Sequence, residues 1–197
     1  MERVHVEITP LRVADAFRIT LDPKRDARGY FVRVYDEAAF AEAGLTTAWV
    51  QENQSLSGRK GLIRGLHFQR PPHAETKLIR AVAGAVLDVL VDLRTDSPTY
   101  GRWEAVELTA DNFTLAYVPK GFAHGFCTLS DRAVVQYKVD ARYAPEAEGG
   151  IRWDDPDLSI DWPVDEPFLS ERDRGLPLLG DFDSPFRRAA KTGPTGS

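Results

Sequence analysis

Hydrophobic and polar positions along the chain alternate mostly with a period of two, the signature of half-buried strands. In AVLDVLVDL (85–93), Leu87, Val89, Val91 and Leu93 fall on one face, with Asp88, Leu90 and Asp92 on the other. In AVVQYKV (133–139), Val135, Tyr137 and Val139 stand opposite Val134, Gln136 and Lys138. Similar short runs occur at YFVRVY (30–35), TAWVQ (47–51), KLIRAV (77–82), WEAVEL (103–108) and FTLAYV (113–118). Turn residues separate them: Gly84, TDSPTYG (95–101), ADN (110–112), PKG (119–121) and SDR (130–132). Many short strands at near-regular spacing predict an all-β sandwich or barrel. One short helix is predicted at DEAAFAEAG (36–44), with Asp36 as its N-cap and Gly44 as its stop. After Trp162 the chain is Pro-rich and irregular, and RRAAKTGPTGS (187–197) reads as a loose tail. The expected organisation is one domain over residues 1–185, followed by a C-terminal tail over 186–197.

Composition narrows the functional classes. The chain has 197 residues, of which 43% are hydrophobic, enough for one full core. A net charge of −5 argues against a general nucleic-acid-binding surface but leaves room for a local basic pocket. Cys127 is the single cysteine, so an intrachain disulfide is excluded and a reducing, cytoplasmic setting is expected. No apolar run reaches membrane-span length, and the first 17 residues read as neither signal nor anchor.

The candidate chemistry gathers in GLIRGLHFQRPPHAE (61–75). On a regular strand Gly65, His67 and Gln69 share a face too small and polar for good core, which predicts a cavity there. Arg64 falls on the opposite face by parity, so both side chains reach one pocket only if the strand bulges, which Gly65 permits. His67 has three readings: a hydrogen-bonded core histidine, a metal ligand or a base. A strand-borne metal pair needs ligands at i and i+2, and here the second position is Gln69, a poor ligand. His73 and Glu75 add nitrogen and oxygen donors just beyond Pro71-Pro72. His124 follows the Pro119–Gly121 turn and enters the next strand at a barrel mouth. Tyr137, Tyr143, Lys77 and the charged turn SERD (170–173) are uninformative taken singly.

Taken in order, the stretches DARGYF (26–31), VQENQS (50–55), LIRGLHFQ (62–69), ETKLIRAVAGAVLDVLVDLRTDSPTYGRW (75–103), VPKGFAHGF (118–126), VVQYKVDARYAPEAEGGIRWDDPDLSIDWP (134–163) and LSERD (169–173) resemble the nucleotide-sugar 3,5-epimerase family. The resemblance implies a cupin-type jelly-roll barrel, a homodimer, and no metal or organic cofactor. It implies inversion at C3, C5 or both of a nucleotide-linked 4-keto-6-deoxy sugar in deoxysugar biosynthesis. By matching position, His67 would be the base, Tyr137 the acid and Asp173 the carboxylate orienting His67, with Asp88 a further candidate for holding that imidazole. Gln51, Asn53, Arg64, Lys77 and His124 match positions that hold the sugar or its diphosphate. Tyr143 would pack near the ligand, and Arg28 would reach the partner subunit's site. Arg33 stands where the family places a glutamate at the nucleotide end, so the base and sugar are left open. Three alternatives remain: a mono-epimerase, a non-catalytic sugar-nucleotide binder, and a metal-dependent cupin enzyme using His67, Glu75 and His124.

Overall fold

The structure, a computed structural model, describes residues 6–188. Thirteen strands and two short helices follow in the order β1 (Val6–Pro10), β2 (Phe17–Leu21), β3 (Lys24–Asp26), β4 (Gly29–Phe31), α1 (Glu37–Glu42), β5 (Gln51–Ser57), β6 (Ile63–Gln69), β7 (Lys77–Ala83), β8 (Ala85–Asp92), β9 (Trp103–Thr109), β10 (Thr114–Val118), β11 (Phe122–Thr128), β12 (Ala133–Val139), β13 (Glu148–Gly150) and α2 (Glu171–Arg174). A six-stranded sheet runs β1-β2-β10-β7-β12-β5, and a five-stranded sheet runs β13-β6-β11-β8-β9. All their pairings are antiparallel, and β3 and β4 form a separate hairpin. The two sheets close face to face as a jelly-roll barrel, as expected.

The alternating pattern explains the layering. Ile79, Ala81, Ala116, Val118 and Val135 of one sheet meet Val86, Leu90, Val106, Leu108 and Phe126 of the other to fill the barrel. The opposite faces are covered too. Val89, Val91 and Leu93 pack outward under the irregular C-terminal segment through Ile151, Leu158 and Phe186. Ile19, Leu78 and Leu115 pack under α1, which inserts the fully buried Phe40. Strand β11 is covered on both faces, so all seven of its residues are buried, His124 and Thr128 included.

Helix α1 forms where expected, because the Asp36 side chain accepts the Ala39 N–H at 3.1 Å and Gly44 leaves the helix at φ +69°. Two strand expectations are corrected. YFVRVY is extended only to Phe31, and in TAWVQ only Gln51 joins a strand. Val32, Val34, Tyr35 and Trp49 instead pack irregularly around Phe40, so their apolar character serves a lid on the sheet and not a ladder. Of the expected tail, Phe186 is buried and Arg188 hydrogen-bonds Asp15 and Asp96, whereas 189–197 lie outside the described residues. Among the described residues no helix is long and apolar enough to cross a membrane.

Candidate active site

A strand irregularity builds the site. Along β11 and β6 the register pairs His124 with His67 but Phe126 with Arg64, so β6 carries one residue more than its partner over this span. This is the bulge that Gly65 allows. Gly65 sits at φ +130°, and a Cβ there would lie 2.5 Å from Gly125 Cα. The extra residue cancels the parity difference, and Arg64 and His67 both line one cavity of about 430 Å³. Lys77, His124, Phe126, Tyr137 and Asp173 share that cavity. His67 comes from the five-stranded sheet and Tyr137 from the six-stranded one, so the two stand on walls from different sheets.

Asp173 arrives from 106 positions away. The Ser170 hydroxyl caps α2 by accepting the Asp173 N–H at 3.1 Å, which turns the carboxylate toward β6. Its Oδ1 lies 2.6 Å from His67 Nε2, and its Oδ2 accepts the Gly65 N–H at 3.4 Å. The carboxylate side chain is 6% exposed and the imidazole 35%, so the acid lies behind a ring that reaches the cavity. Burial alone would raise the Asp173 pKa. The hydrogen bond and charge of His67, with the Gly65 and Ser170 bonds, outweigh burial and hold it below its ordinary value. Tyr137 shifts the other way: burial first, and then the charge of Glu75, raises its phenol. It therefore stays protonated through neutral pH. Across the cavity wall, Arg64 donates to Ser57 Oγ and Leu56 O. The nearly buried Lys77 ammonium lies 3.2 Å from Glu75.

One expected contact is corrected. Asp88 does not hold His67; its Oδ2 lies 2.7 Å from His124 Nε2. The topology explains this. Strand β11 runs between β8 and β6, with Asp88 opposite Phe126, so His124 is the imidazole within reach and His67 lies one strand further. Each histidine thus has its own carboxylate. Among the described residues no group of three or more His, Cys, Asp or Glu side chains is placed to hold a metal ion. Gln69, at the position a second ligand would need, instead donates to His73 O, Arg142 O and Glu75 Oε2 and accepts from the Ala144 N–H.

An adjoining cavity of about 160 Å³ shares His67, Lys77 and Tyr137 and adds Gln51, Asn53, Tyr143 and Glu148. Gln51 Oε1 accepts the Tyr143 N–H at 2.6 Å, which fixes the loop under an exposed tyrosine ring. Arg28 lines neither cavity; it caps the exposed β3–β4 hairpin and pairs with Asp26. Arg33 pairs with Asp36 beside α1. The sequence reading did not pick out Ser55, Phe168, Arg172 or Glu148 as lining residues. No periodic signal marks them, because they reach the site from an edge strand, a loop, a short helix and a three-residue strand. Cys127 is fully buried and its thiol is pushed up to about 11 by burial, which makes it inert. A larger cavity of about 720 Å³, bordered by Phe17, Tyr117 and Phe186, holds none of the expected site residues. Its Arg94, Lys120 and Arg188 are already paired with Asp92, Asp140 and Asp15.

A family model described as dTDP-4-dehydrorhamnose 3,5-epimerase matches residues 10–181. A dTDP-4-dehydrorhamnose 3,5-epimerase of Methanothermobacter thermautotrophicus is 48% identical over 161 residues, 79% of this chain and 86% of that protein. A dTDP-4-dehydrorhamnose 3-epimerase of Streptomyces niveus is 41% identical over 177 residues, 89% of this chain and 85% of that one. Among solved structures, the dTDP-6-deoxy-D-glucose-3,5-epimerase of Legionella pneumophila, in complex with dTDP-4-keto-L-rhamnose, gives a TM-score of 0.89. It is 39% identical and covers 94% of this chain and 100% of its own.

Proposed function

Given that the chain belongs to the dTDP-4-dehydrorhamnose 3,5-epimerase family and is an isomerase of deoxysugar biosynthesis, we propose that it inverts C3 and C5 of a dTDP-linked 4-keto-6-deoxyhexose by proton transfer between His67 and Tyr137. The observation that carries this reading is the His67–Asp173 pair opening onto a cavity whose other sheet supplies Tyr137. The C–H bonds at C3 and C5 are acidic because both carbons flank the C4 carbonyl. With Nε2 engaged by Asp173, Nδ1 of His67 is the nitrogen left to take the proton. The electron pair of the broken C–H bond moves into an enolate, and its C4 oxygen is stabilised by the Lys77 ammonium and the Arg64 guanidinium. Asp173 keeps the ring in one tautomer and offsets the imidazolium charge. Tyr137 O–H returns a proton to the opposite face of the carbon, which inverts it. Gln51, Asn53, His124 and Tyr143 hold the sugar and nucleotide along the two adjoining cavities. No resident metal or organic cofactor takes part in these steps.

The same reading makes the chain a cytoplasmic homodimer, with one domain over residues 1–185 and Arg28 serving the partner subunit's site. Tyr30 and Phe31 on the hairpin are 56% and 67% exposed, and β5, at one edge of its sheet, carries the exposed Leu56. Light scattering at working concentration is expected to report a dimer, and a clean monomer overturns this part.

The Streptomyces niveus relative supports a second reading, inversion at C3 alone. Incubation with dTDP-4-keto-6-deoxyhexoses in D2O, followed by NMR, separates the two. Deuterium at both C3 and C5 with inverted products is the expected result. Deuterium and inversion at C3 only favours the mono-epimerase. Binding without exchange overturns both.

A further inference from the structure

The reading above gives His67, Tyr137 and Asp173 their tasks but leaves one nearly buried acid beside the site without one. Glu75 lies between the Pro71-Pro72 turn and β7, with its side chain 13% exposed. Its Oε1 is 3.2 Å from Lys77 Nζ, and its Oε2 accepts from Gln69 Nε2 at 3.2 Å. Gln69 is 4% exposed and is fixed at both ends by the backbone of residues 73, 142 and 144. Glu75 is therefore held from behind by a rigid amide and holds a cation in front. That cation is 10% exposed and borders both cavities, as do His67 and Tyr137. A flexible lysine without a partner would sample many rotamers, whereas a fixed counter-charge confines its ammonium to one place.

We propose that Glu75 is a positioning residue for the epimerisation, whose carboxylate fixes the Lys77 ammonium at the junction of the two cavities, where the C4 oxygen of the keto sugar acquires charge. This rests on the functional reading above. The stabilising charge must already be in place when the enolate forms, because reorganising it during the reaction would consume the gain. After burial, the charge of Glu75 also raises the Tyr137 phenol, which places the carboxylate within electrostatic reach of the acid as well as of the cation.

Glu75→Gln tests this, because its amide oxygen can still accept from Gln69 while the charge facing Lys77, and the acceptor there, are lost. Deuterium exchange into a dTDP-4-keto-6-deoxyhexose is expected to slow by roughly tenfold to a hundredfold. Affinity for dTDP itself, measured by calorimetry, should stay within about threefold, since Lys77 faces the sugar end. Glu75→Asp keeps the charge but shortens its reach, and should lose roughly threefold to tenfold. The readout that a merely structural role would not move is coupling. In a Lys77→Met background, Glu75→Gln should slow exchange by no more than about twofold further. Additive losses in the double variant, or parallel losses of dTDP affinity and exchange, overturn the inference. Undiminished exchange in Glu75→Gln overturns it alone, whereas a wild-type chain that exchanges no C–H hydrogen overturns the functional reading and this inference with it. If Glu75→Gln does not fold, Glu75→Asp decides, and full activity in that variant counts against the proposal.

Discussion

At the scale of single residues, the site depends on two groups whose environments push them apart. Asp173 is held ionised behind His67, and Tyr137 is held protonated on the facing sheet. His67→Asn keeps the shape of the ring's inner edge but has no nitrogen that takes a proton at neutral pH. Deuterium exchange at C3 and C5 should fall by roughly a hundredfold to ten-thousandfold with dTDP binding intact. Asp173→Asn should be slowed by roughly a hundredfold or more yet remain faster than His67→Asn, because the base is present but wrongly held. The two rates measured side by side check this order, and near wild-type exchange in His67→Asn means that the base lies elsewhere. Tyr137→Phe keeps the ring and its packing against the barrel core and removes only the hydroxyl. Exchange from the base's own face should continue while inversion falls by roughly tenfold or more. NMR of the product stereochemistry gives the ratio, and equal small losses of both would return Tyr137 to a packing role.

At the scale of elements, the bulge in β6 decides whether the site exists. Gly65 occupies a left-handed backbone region and approaches Gly125 too closely for any side chain. Gly65→Ala should destabilise the fold by roughly 2 kcal/mol or more, read from the urea midpoint. Gly29→Ala makes the control: its φ of +126° is nearly the same but nothing lies within 4 Å of an added Cβ, so roughly 1 kcal/mol is expected. Equal costs would show that backbone conformation alone matters and that the contact with β11 does not. The short helix α2 is the other decisive element. Ser170 caps it and so aims Asp173, although SERD read alone is an ordinary charged turn.

For the whole molecule, stability in acid follows from the three carboxylates at least partly withdrawn from solvent that are held below their ordinary value of 3.8. In Asp15, Asp92 and Asp173 burial opposes the shift, and bonds to Arg188 and Arg94, to Arg94 and Ser97, and to His67 respectively outweigh it. A depressed carboxyl binds its proton less readily when folded than when unfolded. Its stabilisation is therefore fully present above about pH 4 and is lost as pH falls through the folded values. Urea midpoints should be flat with respect to these groups near neutrality and should drop below pH 4. The drop should be shallower in Asp173→Asn, and an unchanged slope would remove that carboxylate from the balance. The sequence by itself determined what local chemistry determines: alternation marked the central strands, Asp36 and Gly44 bounded α1, and Gly65 between Arg64 and His67 permitted a bulge. The ordered motifs also carried the family. Only the tertiary structure decided which partners meet. Asp173 reaches His67 across 106 positions, and Asp88, on a strand separated from His67 by β11, reaches His124 instead. Likewise the apolar runs at 32–35 and 47–50 became a lid around Phe40, not strands. Periodicity reports which face of a segment is dry, but which neighbour dries it depends on strand order, and strand order is set by contacts between residues far apart in the chain.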